Sequence, residues 1–191
     1  PNLDAAAGTV TASVVCGLVS ARASEGVLHV SGVLRRGEEA ALRTMLESFR
    51  IPPEMLRLAV DAFDGPYCPA LDAARLDVAP PDAGPQVTML SPNPLPVGRR
   101  LRFQVRAPSD WPSVHLAIAY MTVEGFVAHI VGVEMAPGTT VTFADPQWQA
   151  AEPAGTDLML VIASDPPIFP PRAARPPVER MAEFTPAPAP A

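Results

Sequence analysis

The segment GLVSARASEGVLHVSGVL, residues 17–34, decides how the first half of the chain folds. It contains two short runs of β-prone residues, 17–23 and 27–34, on either side of Ser24, Glu25 and Gly26. Two such runs around a short, glycine-containing turn are typical of a β-hairpin. The sequence therefore predicts two strands joined by a tight turn at residues 24–26.

Helices are predicted on both sides of this hairpin. Residues 37–39 (Gly-Glu-Glu) lead into apolar residues that recur at helical spacing, namely Ala41, Leu42, Met45, Leu46 and Phe49. The two acidic residues suit the positive end of a helix dipole, and the proline pair at 52–53 ends the helix. Before the hairpin, the alanine-rich residues 4–15 predict another helix.

A third strand follows, marked by Met55, Leu58 and Val60. The turn-forming residues 64–66 (Asp-Gly-Pro) separate it from a short helix after Cys68. Residues 1–78 are therefore expected to form a small domain of the α+β class.

The second half of the chain is predicted to be β-rich. Strand candidates cover residues 87–90, 99–106, 114–122, 126–133 and 158–163, with a further one around Val141 and Phe143. A turn at residues 123–125 (Val-Glu-Gly) joins two of them as a hairpin. Antiparallel strands separated by glycine and proline turns indicate a sandwich or small barrel over residues 87–184.

Proline usage marks the boundary between the halves. Five of the 25 prolines precede residue 78 and 20 follow it. Residues 79–86 are turn-prone and stiff, as expected for a proline-rich linker. The proline–alanine repeat at residues 185–191 predicts an extended tail.

Composition excludes several classes of function. The net charge is −6, so the chain as a whole has no electrostatic attraction to nucleic acid. All 14 basic residues are arginine, which excludes Schiff-base lysines and the lysines of phosphate-binding loops and kinases. No run of about 18 apolar residues exists that would predict a membrane span. The chain begins at Pro1, and we expect an export signal or anchor, where one exists, to lie upstream.

The two cysteines, Cys16 and Cys68, are interpreted as a disulfide pair of an exported domain. Two buried free thiols of a cytosolic protein are the alternative. Their spacing is too wide for a redox CxxC motif, and no Cys/His cluster suggests zinc.

Both halves resemble known bacterial domains. The first resembles a BON-like domain in VCGLV at residues 15–19, LHVSGV at 28–33 and FDGPYCPAL at 63–71. The second resembles a domain of unknown function at the C-terminal end of bacterial caspase-like peptidases and membrane-anchored Ser/Thr kinases. This second resemblance rests on PVG at 96–98, LAIAY at 116–120, EGFVAHI at 124–130, GTDL at 155–158 and IASDPPIF at 162–169.

The resemblance implies an αββαβ domain followed by a β-rich accessory domain. It also implies a periplasmic or otherwise extracytoplasmic location, beside a catalytic or anchoring part. It implies no catalytic residue, and no cofactor is expected.

Candidate contact residues lie in the second half. The densest basic group is Arg99, Arg100, Arg102 and Arg106, which would dock an acidic partner or a phosphate-bearing headgroup. A solvated strand face that discourages edge pairing is the alternative for this group. Trp111 and Trp148 each neighbour a proline, and are interpreted either as partner anchors or as plugs over the sheet.

Two catalytic arrangements can be composed from residues of the second half, without a motif that supports either. His115 and His129 fall on paired strands, where a metal or acid–base pair is conceivable. Ser164, His129 and Asp165 have the composition of a hydrolytic triad, but no GxSxG elbow accompanies them.

The sequence therefore favours a non-catalytic interaction or scaffold module of an envelope-associated complex, with a protein partner. The alternative is a module that binds peptidoglycan, a lipid headgroup or a small solute through the arginine-rich strand.

Overall fold

The hairpin of residues 17–34 forms as the sequence predicts. Strand β1 (Gly17–Ser24) pairs antiparallel with strand β2 (Val27–Arg35), and Ser24 lies opposite Val27. The two residues between them, Glu25 and Gly26, both have positive φ angles, 53° and 75°. A two-residue turn with left-handed backbone at both positions matches the right-handed twist of the strands it joins.

The computed structural model describes residues 1–74, 84–165 and 178–180. The described residues form two compact units, residues 1–74 and residues 84–165 with 178–180. The structure is a mixed α+β fold in which strands dominate and three small sheets are present among the described residues.

The first unit contains three α-helices around one sheet. Helix α1 spans Leu3–Ser13, α2 spans Glu39–Ser48 and α3 spans Cys68–Ala74. Strand β3 (Leu56–Phe63) runs parallel to β2, so the sheet has the order β1-β2-β3. Met55 was predicted to lie in this strand, but it ends a 3-10 turn, Pro53–Met55, that precedes it.

One face of this sheet carries the core. Alternation places Val19, Leu28, Val30 and Leu34 on the same face, where they pack with apolar residues of α1 and α2. The helix residues are Ala6, Val10, Leu42 and Leu46. At the centre of β2, a Cβ added to Gly32 would lie 2.0 Å from the carbonyl oxygen of Leu18, so only glycine allows β1 to approach this closely.

The disulfide between Cys16 and Cys68 is present and confirms the cysteine pairing. It joins the residue before β1 to the first residue of α3, with 5.1 Å between the two Cα atoms and 52 residues of separation. Beside it, the ring of Tyr67 contacts Phe63 at a centroid distance of 5.2 Å, and both are buried. The covalent link and this aromatic pair hold α3 against the strands.

The second unit contains two antiparallel sheets. The first has the order β4-β5-β8, formed by Gln86–Met89, Phe103–Arg106 and Thr140–Phe143. The second has the order β10-β7-β6-β9, formed by Val178–Arg180, Phe126–Met135, Val114–Met121 and Leu158–Ser164. Strand β10 carried no signal in the sequence that we recognised.

Both sheets contribute to a single core. Phe103, Val105 and Phe143 of the three-stranded sheet form one cluster with Val114, Leu116, Ile118 and Met135 of the four-stranded sheet. Phe103 stacks on Phe143 at 5.0 Å and on Trp148 at 6.1 Å, with interplanar angles of 16° and 14°. The two sheets therefore face each other as a sandwich around an aromatic stack.

The strand predicted over residues 99–106 is shorter than expected. Only Phe103–Arg106 belongs to the sheet, whereas Arg100 forms an isolated bridge with Gln149. Residues 99–102 have a different neighbour from β5, because β8 ends at Phe143. Residues 148–150 lie beside them instead, and Leu101 N donates to Trp148 O at 2.9 Å. The turn that contains Pro146 produces this break, which alternation alone does not reveal.

The hairpin of β6 and β7 is held from a distant segment. Thr122 N donates to Phe126 O at 2.9 Å, which closes the turn predicted at residues 123–125. The carboxylate of Asp157 accepts hydrogen bonds from the Tyr120 hydroxyl (2.6 Å) and from Val123 N (2.9 Å). The residues just before β9 therefore fix the turn between β6 and β7.

Several predicted segments lie outside the described residues. They are most of the linker at 79–86, residues 166–169 at the end of the stretch that carries the second resemblance, and the tail at 185–191.

Candidate functional site

Strand β5 and the residues before it position the predicted arginines. Leu101, Phe103 and Val105 pack into the core, so the alternate residues project to the opposite side of the chain. These outward residues are Arg100, Arg102, Gln104 and Arg106. The structure thus brings three of the four predicted arginines to one face, while Arg99 lies in the preceding turn, where its N–H donates to Pro96 O (3.0 Å).

The neighbouring strands add only uncharged polar groups to this face. Register places Gln86 and Thr140 on either side of Arg106, and Thr88 and Thr142 on either side of Gln104. Gln104 Nε2 donates to Thr142 Oγ1 at 3.1 Å. We call this surface the arginine face, made of Arg100, Arg102, Arg106 and these glutamine and threonine residues.

The arginine face has no internal charge compensation. Its three arginines are exposed, and strands β4, β5 and β8 contain no acidic residue. Among the described residues, no ion pair involves Arg99, Arg100, Arg102 or Arg106. A protein of net charge −6 therefore presents a locally cationic surface rich in hydrogen-bond donors.

Trp111 and Trp148 are packing residues as well as surface residues. Both are half-buried and contact the core of the second unit, and Trp148 also stacks on Phe103. Their positions correspond to plugs over the sheet rather than to projecting anchors. Only their solvent-facing edges remain for contact with a partner.

A row of two arginines and one histidine, which the sequence did not predict, lies on the sheet of the first unit. Register places Arg22 opposite His29, and His29 opposite Arg57, so these exposed residues form a row across all three strands. The next row contains Ser20 and Ser31, whose hydroxyl oxygens lie 3.5 Å apart. Arg22, His29 and Arg57 lie on three different strands, and Arg57 is far from the other two in the sequence. Only the strand order and register show that all three are neighbours, so the sequence alone does not predict the row.

The two catalytic interpretations are not supported by the positions of their residues. His115 pairs with Glu134 and with Ser164, whereas His129 pairs with Ala119. The two histidines are therefore offset by four residues, about 13 Å, along β6. Ser164 lies on β9, with β6 between it and the strand of His129, so the three residues that have the composition of a triad are not brought together.

The charged groups near the disulfide have structural partners. Glu38 accepts hydrogen bonds from Cys16 N through Oε2 (3.2 Å) and from Arg35 Nη2 through Oε1 (3.1 Å). Arg36 Nε donates to Asp64 Oδ1 at 2.7 Å, and this hydrogen bond raises the pKa of the Arg36 guanidinium. These contacts fix the loop before α2.

The part of the chain that the structure describes shows neither a metal-binding cluster nor a helix able to span a membrane. There, no group of three or more His, Cys, Asp or Glu side chains is placed to hold a metal ion. Within the same residues, no helix has the length and apolar character needed to cross a bilayer.

A scan against protein-family models, a search of curated proteins and a search of solved structures each returned no match to this chain.

Proposed function

We propose that this chain is a non-catalytic interaction module of an envelope-associated protein or complex, and that the arginine face docks an acidic protein partner. The observation that carries the proposal is a face with three exposed arginines, uncharged polar neighbours and no ion pair among the described residues. Guanidinium groups without internal partners are suited to carboxylates, because each presents a planar set of donors that matches them.

The proposed location is periplasmic or otherwise extracytoplasmic. The Cys16–Cys68 disulfide supports it, since such links persist mainly in oxidising compartments. We also propose that the first unit is a BON-like domain. Its elements from α1 to β3 follow the αββαβ order expected of that resemblance, with α3 added after them, and this order supports the assignment.

A second candidate function is the binding of peptidoglycan, a lipid headgroup or a small solute. The threonine and glutamine side chains beside Arg106 and Gln104 favour it, because hydroxyl and amide groups also bind sugars and phosphates. This candidate uses the same face, so the two functions differ in the ligand and not in the residues.

The test is a crosslinked capture from native membranes with the full chain as bait. It compares the natural chain with the triple variant Arg100→Gln, Arg102→Gln and Arg106→Gln. The matched control is Arg36→Gln, Arg43→Gln and Arg50→Gln, which removes the same charge from exposed positions of the first unit outside the row of Arg22, His29 and Arg57. Charge-assisted hydrogen bonds contribute about 1.5–3 kcal/mol each, so we expect at least a tenfold loss of one dominant acidic protein with the first variant only.

Equal loss with both variants would show that only net charge matters and would contradict a specific face. Retention of lipid or cell-wall fragments, lost with the first variant and without any protein partner, would favour the second candidate.

A further inference from the structure

Strand β4 (Gln86–Met89) is an edge strand, and its backbone shows which groups it offers. It pairs with β5 alone among the described strands. Leu90 N donates to Arg102 O at 2.9 Å, so the alternate residues Thr88 and Gln86 also direct their N–H and C=O groups toward β5. Val87 and Met89 therefore direct theirs away from the sheet.

The hydrogen bonds on the other side of β5 confirm which backbone groups of β4 point away from the sheet. Ala107 N donates to Thr139 O and Leu101 N donates to Trp148 O, both at 2.9 Å. Odd-numbered residues of β5 thus bond on the β8 side and even-numbered residues on the β4 side. The outward groups of Val87 and Met89 follow from two independent sets of hydrogen bonds.

Within residues 86–90, this edge carries none of the side chains that usually protect an edge against pairing. Its side chains at Val87 and Met89 are 41% and 44% exposed, and residues 86–90 contain neither a charge nor a proline. Natural edge strands commonly carry charges or prolines that prevent addition of another strand. Strand β3 of the first unit does so with Arg57 and Asp61.

The two faces of β4 define the chemistry of a strand that would add to it. Residues opposite Val87 and Met89 would lie on the apolar side of the sheet. Residues opposite Gln86 and Thr88 would lie over the arginine face, one strand away from Arg106 and Gln104. A matching segment therefore alternates apolar with acidic side chains.

We propose that the partner docks by adding an extended segment of about four to six residues to β4, with apolar side chains on Val87 and Met89 and acidic side chains over the arginine face. The backbone of Val87 and Met89 supplies the main-chain hydrogen bonds, and the arginines select the charge. This inference rests on the function proposed above and adds the mode of binding and the sequence pattern of the partner.

The experiment uses a fluorescein-labelled peptide of alternating valine and glutamate, six residues long, and measures fluorescence anisotropy with the full chain at low salt. We expect saturable binding that weakens at least tenfold in Met89→Pro. Proline removes an outward N–H and not one that bonds to β5, so the unfolding midpoint should change little. The control Thr88→Pro removes a donor to β5 and should lower the unfolding midpoint instead.

Two further probes keep the test independent of folding. The same peptide with its valine amides N-methylated should lose binding to the natural chain, and an alternating valine–lysine peptide should not bind. Arg102→Gln with Arg106→Gln should weaken binding of the valine–glutamate peptide by at least tenfold.

Absence of binding to the natural chain, insensitivity to both Met89→Pro and N-methylation, or equal binding of the lysine peptide would each overturn strand addition by an acidic segment. If arginine-dependent capture from membranes persists in Met89→Pro, strand addition is wrong while the docking function of the arginine face stands. Loss of arginine dependence in that capture contradicts the proposed function itself.

Discussion

The first unit, residues 1–74, and the second unit, residues 84–165 with 178–180, protect their cores in different ways. The first has one sheet with two helices over one face, and a disulfide that holds a third helix. The second has two sheets facing each other around the stack of Phe143, Phe103 and Trp148, and contains no cysteine.

The difference shows how a small unit compensates for a limited core. A three-stranded sheet covered on one face buries little apolar surface, so a covalent link that restricts the unfolded chain adds stability. A sandwich buries the inner faces of both sheets and uses large aromatic side chains instead. The sandwich also leaves an edge strand and a polar outer face available for binding.

The largest expected effect comes from breaking the aromatic stack. Phe103 is fully buried and stacks on two rings, so Phe103→Ala should lower the free energy of unfolding of the second unit by about 3–5 kcal/mol. Both tryptophans of the chain lie in this unit, so chemical denaturation followed by tryptophan fluorescence measures the effect. Val97→Ala, at a side chain 60% exposed, is the control and should change stability by less than about 0.5 kcal/mol. Equal losses in both variants would contradict a role for the stack.

Removal of the disulfide tests the other half of the comparison. Cys16→Ala with Cys68→Ala opens a loop with a separation of 52 residues and should cost about 4 kcal/mol in the chain-entropy model. Thermal unfolding followed by circular dichroism measures the loss. A reductant should destabilise the natural chain in the same way and leave the double variant unchanged. A natural chain that is insensitive to the reductant would show that the link does not stabilise the first unit.

A smaller loss of stability is expected when the carboxylate that fixes the turn between β6 and β7 is removed. Asp157→Ala removes the acceptor for both the Tyr120 hydroxyl and Val123 N, and should cost about 1–2 kcal/mol. Tyr120→Phe removes only one of these hydrogen bonds and should cost about half as much. Unfolding by denaturant measures both. Identical losses would show that the tyrosine contact carries the whole effect and that the turn needs no support.

Local patterns predicted the elements of both units well. The hairpin at residues 17–34 and the turn at 123–125 depend on nearest-neighbour chemistry, namely β-prone runs around residues that tolerate a left-handed backbone. Helix α2 followed from apolar residues at helical spacing. In each case the deciding interaction lies within a few residues, so the sequence around it is sufficient.

Predictions that depended on distant partners were less accurate. The strand expected over residues 99–106 ends early because its neighbour changes from β8 to residues 148–150. His115 and His129 share a hairpin but lie about 13 Å apart along it, since register rather than strand identity determines which residues meet.

The sequence by itself determined most of the elements and the presence of a cysteine pair able to form a link. The period of two in residues 100–106 is also sufficient to place Arg100, Arg102 and Arg106 on the side opposite Leu101, Phe103 and Val105. Only the tertiary structure decided that glutamines and threonines surround them, that β4 is an edge, and that Arg22, His29 and Arg57 form one row. The physical reason is that side-chain direction follows from local backbone geometry, whereas strand order and register depend on packing between residues far apart in the chain.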